Sequence, residues 1–516
     1  MKTQVVQLTD ETLIHRAGIA TLNPANVGGM SACIEDARLA ALDSDPGPAE
    51  PNNYHQLLGR LEAVRAKLPP LYRESMLTPF VTILRQTGEN GFNRILIRDP
   101  QREGLGGLMM DIAQAILQQG EGFASVPTDG FEEVVSDLYD GFLSAEDRQG
   151  VNPPERGVIP PLVKWGNPDF GPYTWPIDAT ATFGCKAAVV SLPPANVRGG
   201  LLAWAALGHE TAGHDIIHAD QGLEQELSAA IQQSLEPLGH GLDQYWSARI
   251  DETASDVMGI LNIGPAAGIG LIAYFRALNE AFTGDPRLRS DGPDGDPHPA
   301  DIVRGYLAAE TVSLLKFTGR RAWVNLIAEE TNKDAGTIVL AGEIVSKETA
   351  RQSARLVAQT LVNHRARALE NHSLGEIQNW RDSDERKVRL LRNALRTAGE
   401  LPSSASPTPV YAAHAVAAAV TEAIAGTSNI TALFKRMLAF LTAMHDQNPS
   451  WGPIFVAHPG NLVRDRFYYR QEVEVAAPAP RPASRPARAR QPKLATRKLA
   501  QRKKSVSALG QAHLSP

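Results

Sequence analysis

A chain of 516 residues with 43% hydrophobic and 21% charged residues is long enough for two or three domains and a large core. No run of 18 apolar residues occurs, the first sixteen residues mix Lys2, Asp10, Glu11 and Arg16 with short apolar runs, and Cys33 and Cys185 are the only cysteines. These features argue against a membrane span, a signal peptide and a disulfide framework, and make the cytoplasm the expected compartment. The net charge of −6 hides an asymmetry, because ten of the 51 basic residues lie beyond residue 475, where no acid occurs.

Residues 1–43 hold a short apolar stretch with turn signals at Asn23-Pro24 and Gly28-Gly29, and the run from Asp43 to Pro51 reads as a linker. Helical spacing recurs in Leu57, Leu58, Leu61 and Val64, in Met109, Ile112, Ala115 and Ile116, and in Phe131, Val134, Val135 and Leu138. Residues 1–150 are therefore expected to form a mainly helical N-terminal region. The proline-rich stretch from Asn152 to Pro176, with Trp165, Tyr173 and Trp175, reads as a surface loop. Ala179 to Leu192 reads as one or two strands, ended by Pro193-Pro194.

A strongly apolar, buried helix starts near Leu201 and runs into His209. An amphipathic helix follows near Leu223–Leu235, a longer one from about Leu242 to Leu261, and Pro265 restarts the chain into a helix over Ile269 to Phe282. Asp291 to Asp296 is a loop, and helices dominate from Asp301 to about Met444. On this reading 151–335 is a metal-binding catalytic domain, 336–474 a C-terminal helical region and 475–516 a disordered basic tail. The fold class is mostly α-helical α+β, with a buried metal-binding helix and a small β-sheet beside it.

The chemistry is concentrated in His209-Glu210-Thr211-Ala212-Gly213-His214. Two imidazoles and a carboxylate are ligand types for one zinc ion, whose catalytic sites keep three protein ligands and an open position for water. The histidines are five apart, which an ideal helix would rotate by about 140°. A π-type turn would bring them together, and Gly213 would ease the distortion. Glu210 is then placed to take a proton from metal-bound water. Glu252 is the expected third ligand, Asp256 one turn on would orient a ligating histidine, and Arg249 would keep Glu252 ionised. His298, Arg304 and Tyr306 are candidates to stabilise the oxyanion formed when water adds to a carbonyl.

The hexapeptide resembles the HExxxH signature of the dipeptidyl peptidase III metallopeptidases, usually His-Glu-Leu-Leu-Gly-His. Asp251-Glu252-Thr253-Ala254-Ser255-Asp256 is similar to that family's second motif in its acidic first, second and sixth positions. The resemblance covers about a tenth of the chain. It implies zinc on His209, His214 and Glu252, Glu210 as general base, Asp256 behind the ligands, and a peptide substrate.

Two other readings carry different chemistry. His214-Asp215 resembles the core of HD-type metal phosphohydrolases, whose signature would be hydrolysis of phosphate esters. The basic residues between Arg481 and Lys504 would attract nucleic acid or another polyanion, which makes a non-catalytic scaffold with a structural metal the third reading. Gly104-Leu105-Gly106-Gly107 lacks the register of a dinucleotide loop, and no phosphate-loop or nucleophile-elbow motif occurs.

Overall fold

The computed structural model describes residues 25–446 except 144–149, 153, 155, 157–158, 399–409 and 427, so the expected basic tail and the first apolar stretch lie outside the described residues. The front of the chain forms α1 (Met30–Ala41), α2 (Tyr54–Val64), α3 (Thr78–Arg98), α4 (Leu105–Glu121) and α5 (Ser125–Leu143). The expected periodicities fall in α2, α4 and α5, whose apolar stripes are buried. Ile95–Ile97 belongs to α3 rather than to a strand, so the glycines that follow have no strand–loop–helix context.

The expected surface loop contains two strands. β1 (Leu162–Trp165) and β2 (Tyr173–Trp175) join β3 (Val189–Leu192) in a sheet of order β1-β3-β2. β1 is parallel to β3, and β2 runs antiparallel to it as an edge, with Tyr173 opposite Ser191 and Trp175 opposite Val189. All four residues of β1 are buried, so no polar alternation marks it in the sequence. The expected strand at Ala179 is instead a helical turn, Ile177–Thr180, preceded by Pro176 and begun by a hydrogen bond from the Ile177 amide to Asp215 Oδ1 at 3.0 Å. Only Val189–Leu192 of that segment is a strand.

α6 (Leu201–Leu207) is buried as its composition demands, and Asp36 of α1 accepts a hydrogen bond from its first amide at 2.9 Å. Trp204 of α6 sits in an aromatic cluster, 6.3 Å from Trp165 and 6.1 Å from Phe131 between ring centroids. Such pairs add about 0.5–1.5 kcal/mol beyond area burial, and here they fix the helix that leads into the histidines. α7 (Leu223–Leu235) matches expectation. The long helix expected over 242–261 is two, α8 (Leu242–Ser247) and α9 (Ile250–Ile263), broken at Ala248-Arg249. α10 (Pro265–Thr283) packs on α1 and α6.

A second sheet, absent from the expectation, joins β4 (Asp291–Gly292), β5 (Ile338–Leu340) and β6 (Glu343–Val345). β5 and β6 meet through Ala341-Gly342, both at positive φ, the geometry of a two-residue hairpin turn usually signalled by Asn-Gly. α11 (Asp301–Ser313) and α12 (Arg320–Asp334) precede this hairpin and α13 (Lys347–Asn363) follows it. α14 (Asp382–Thr397), α15 (Ala412–Ala425) and α16 (Ile430–His445) complete a mostly helical fold with two small mixed sheets. Among the described residues no helix is long and apolar enough to cross a membrane. Cys33 and Cys185 are free and buried, and burial pushes both thiols up to about 12.

Candidate metal centre

After α6 the chain continues as a π-helical turn, Gly208–Gly213, closed by a hydrogen bond from the His214 amide to the His209 carbonyl at 3.4 Å. The five-residue bond does what the spacing requires, and the two imidazoles meet with Nε2 atoms 3.0 Å apart. Gly213 serves a different purpose from the one expected. Its φ is not in the left-handed region, but a Cβ there would lie 2.2 Å from Ser255 Cα. Gly208 and Gly259 likewise face each other, with a Cβ on Gly208 falling 3.2 Å from Gly259 Cα. Glycine thus lets the π-turn pack against the backbone of α9.

The break at Arg249 puts Asp251 and Glu252 in the first turn of α9, where the helix dipole favours carboxylates. Glu252 lies across from both histidines, Oε2 at 3.4 Å from His209 Nε2 and Oε1 at 3.5 Å from His214 Nε2. Each imidazole is held from behind. His209 Nδ1 donates to Asp256 Oδ1 at 2.9 Å, and His214 Nδ1 to Asp251 Oδ2 at 2.9 Å. Those bonds commit the Nδ1 protons, so that each Nε2, once it gives up its own proton, presents a lone pair towards the other and Glu252.

The residues present fit a divalent metal. Tetrahedral ligands at about 2.0–2.1 Å from zinc are about 3.3–3.4 Å apart, close to the three separations observed. Glu252 Oε2 is buried and makes no hydrogen bond; Arg304 Nη2 at 3.5 Å and His209 Nε2 at 3.4 Å reach it only at ion-pair distance, so a closer cation would satisfy it. Burial disfavours charge on His209, yet Asp256 and Glu252 outweigh it and raise its pKa to about 10. Burial likewise opposes ionisation of Glu252, and the neighbouring His214, His209 and His298 hold it well below the usual carboxylate range. The pocket thus demands positive charge, and a metal would replace protons there. Glu210 also brings an oxygen within 4.8 Å of the imidazole nitrogens. Glu252 lies within 3.5 Å of both imidazoles, whereas Glu210 Oε2 accepts a hydrogen bond from Thr174 Oγ at 3.0 Å.

A cleft of about 770 Å³ opens over these groups and is lined by Glu210, His209, His214, Glu252, Arg304 and His298, among others. His298 stands at its wall, Nε2 3.3 Å from Glu252 Oε1 and Nδ1 3.2 Å from Asp296 Oδ1. Arg304 lines the cleft too, but its guanidinium makes two 2.7 Å hydrogen bonds to Asp256, so it anchors that carboxylate. Tyr306 is absent from the cleft wall, and its hydroxyl bonds Asn332 Oδ1 at 3.1 Å. Two residues after Arg304, it lies about 200° around the helix and faces elsewhere. Arg249 does not act on Glu252 as expected. It packs on the Tyr245 ring and binds the carbonyls of Pro293 and Asp294, tethering the loop that carries His298.

Four residues escaped the sequence reading. Asp251 orients His214, Thr174 of β2 holds Glu210, and Tyr274 of α10 lines the cleft beside Glu210. Burial first, and the Glu210 charge second, raise the Tyr274 phenol above its ordinary range, so it keeps its proton. His218 bridges two carboxylates, Nε2 3.4 Å from Asp251 Oδ1 and Nδ1 3.6 Å from Asp178 Oδ2. Only His218 and Asp251 carried a signal, their helical distance from the motif histidine and from Glu252. Asp215 is committed elsewhere, one oxygen to the Ile177 amide and the other to the Tyr139 hydroxyl, which removes support for His214-Asp215 as a metal-binding pair. Compared with family models, with curated proteins and with solved structures, the chain matches none.

Proposed function

We propose that the protein is a zinc-dependent hydrolase of peptide or related amide bonds, with His209, His214 and Glu252 holding one ion. The observation that carries this reading is the convergence of two imidazole Nε2 atoms and the Glu252 carboxylate, whose Oε2 makes no hydrogen bond, within 3.0–3.5 Å of one another in an open cleft. Bound zinc supplies Lewis acidity and lowers the pKa of water. Glu210, held by Thr174, accepts the proton of the attacking water and passes it to the leaving amine. Tyr274, which keeps its proton, and His298 line the cleft and donate to the oxygen on which charge develops. Asp256 and Asp251 fix both imidazole rings, and Arg304 fixes Asp256.

The motif spacing and the placement of Asp251, Glu252 and Asp256 support the resemblance to the dipeptidyl peptidase III metallopeptidases. Glu210→Gln tests the reading. Zinc stoichiometry by elemental analysis should be unchanged while hydrolysis of a mixed peptide library falls by about 10²–10⁴-fold. Loss of zinc would make Glu210 a ligand, and unchanged turnover would remove it from the chemistry. Turnover of phosphate esters without peptides would restore the phosphohydrolase reading.

A further inference from the structure

Away from the metal-binding end the cleft changes character. Leu271, Tyr274, Phe275, Leu278 and Phe282 of α10 all line it, at the three- and four-residue intervals that place them on one stripe. Tyr274 marks the reactive end, beside Glu210. Phe282 lies eight residues on, about 12 Å along the axis at 1.5 Å per residue. α1, which packs against α10, adds the short side chains of Ala37, Ala40 and Ala41 to the lining. Phe170, in the loop before β2, closes the third side. Phe282 is 67% exposed and Phe170 42%, so two large apolar groups stand open at the end of a cleft whose other end is polar.

We propose that this wall is the subsite for one large apolar side chain of an extended polypeptide substrate, about three to four residues from the bond that is cut. The spacing follows from about 12 Å of wall and about 3.3 Å per residue of extended chain. The occupant is a peptide because the wall belongs to the same cleft as the groups proposed to act on an amide. This assignment rests on the hydrolytic reading of the metal centre.

The test uses the full chain loaded with zinc and a set of Ser/Gly/Ala peptides in which a single Phe is walked along the sequence. Mass spectrometry should find that the cut follows the Phe at a fixed separation of about three to four residues. The kcat/KM for such a peptide should exceed that of its Ser counterpart by about tenfold or more, the size of effect one apolar pocket supplies. Phe282→Ser should bring that ratio close to one, and Ala40→Phe, which adds bulk to the lining, should do the same, with zinc content unchanged in both. Cuts without fixed separation, or a ratio that survives Phe282→Ser, overturn the subsite. So does the absence of any Phe preference in the full chain. If the zinc-loaded protein cuts none of the peptides, the failure extends to the hydrolytic reading itself.

Discussion

Two buried polar clusters flank the short strand β2, and they differ in completeness. On one face, Tyr173 and Trp175 join Lys164 and Asp111. The Lys164 ammonium donates to Asp111, to Gln114 Oε1 at 2.9 Å and to Tyr173 at 3.0 Å, while Asp111 Oδ2 accepts from Tyr173 at 2.8 Å and Trp175 at 2.7 Å. Every donor of that ammonium is used. On the other face, Thr174 reaches Glu210 and the histidine cluster, where Glu252 Oε2 makes no hydrogen bond, Arg304 comes no nearer to it than 3.5 Å, and two Nε2 atoms confront each other. Alternation along a strand sends Tyr173 and Trp175 one way and Thr174 the other. A buried charge that is fully answered by hydrogen bonds holds a fold together; one held only at ion-pair distance has room for a closer cation.

That contrast can be broken from either side. Lys164→Met should remove the only cation from the closed cluster and strand Asp111, costing about 3–5 kcal/mol of unfolding free energy in urea titrations, with zinc stoichiometry of the folded fraction intact. A cost below about 1 kcal/mol would show that the cluster is not closed in solution. Glu252→Gln should have the opposite signature. Zinc affinity, read by competition with a chelator, should fall by more than about a hundredfold, beyond what outer partners usually cost, while the metal-free protein unfolds no more easily. An unchanged affinity would reject Glu252 as a ligand. The smallest effect is expected at His218. It braces Asp251 between His214 and Asp178, so His218→Gln should weaken zinc binding by about tenfold, and no change would confine His218 to the surface.

The candidate centre was more legible in the sequence than the scaffold around it. Histidines five apart can meet at one point only if the helix is distorted, as by a π-turn, and an acidic pair one turn apart on a later apolar helix points to one face, so His209, His214, Glu252 and Asp256 could be picked out from local geometry. Thr174 and Tyr274 carry no such mark, because their places beside Glu210 arise only when β2 and α10 pack around the cleft. Tyr306 shows the converse error, since closeness to Arg304 in the chain is not closeness on a helix. β1 and β2 were hidden because strands of four and three residues leave little room for alternation, and β1 is buried throughout. The hinge at Ala248-Arg249 has no proline or glycine to announce it, yet it places Glu252 at a helix start.

The glycines between the π-turn and α9 set a mechanical tolerance. With Gly213 against Ser255 and Gly208 against Gly259, the gap between the two ligand-bearing segments is fixed by main chain meeting main chain. A side chain can swing aside, but such a stop cannot. One methyl group on residue 213 would begin 2.2 Å from Ser255 Cα, so the segments would have to part by more than about 1 Å to reach ordinary contact. Metal–ligand distances hold to within about 0.2 Å. The smallest residue in the motif is therefore its gauge block, setting the spacing to which the histidines and Glu252 are cut.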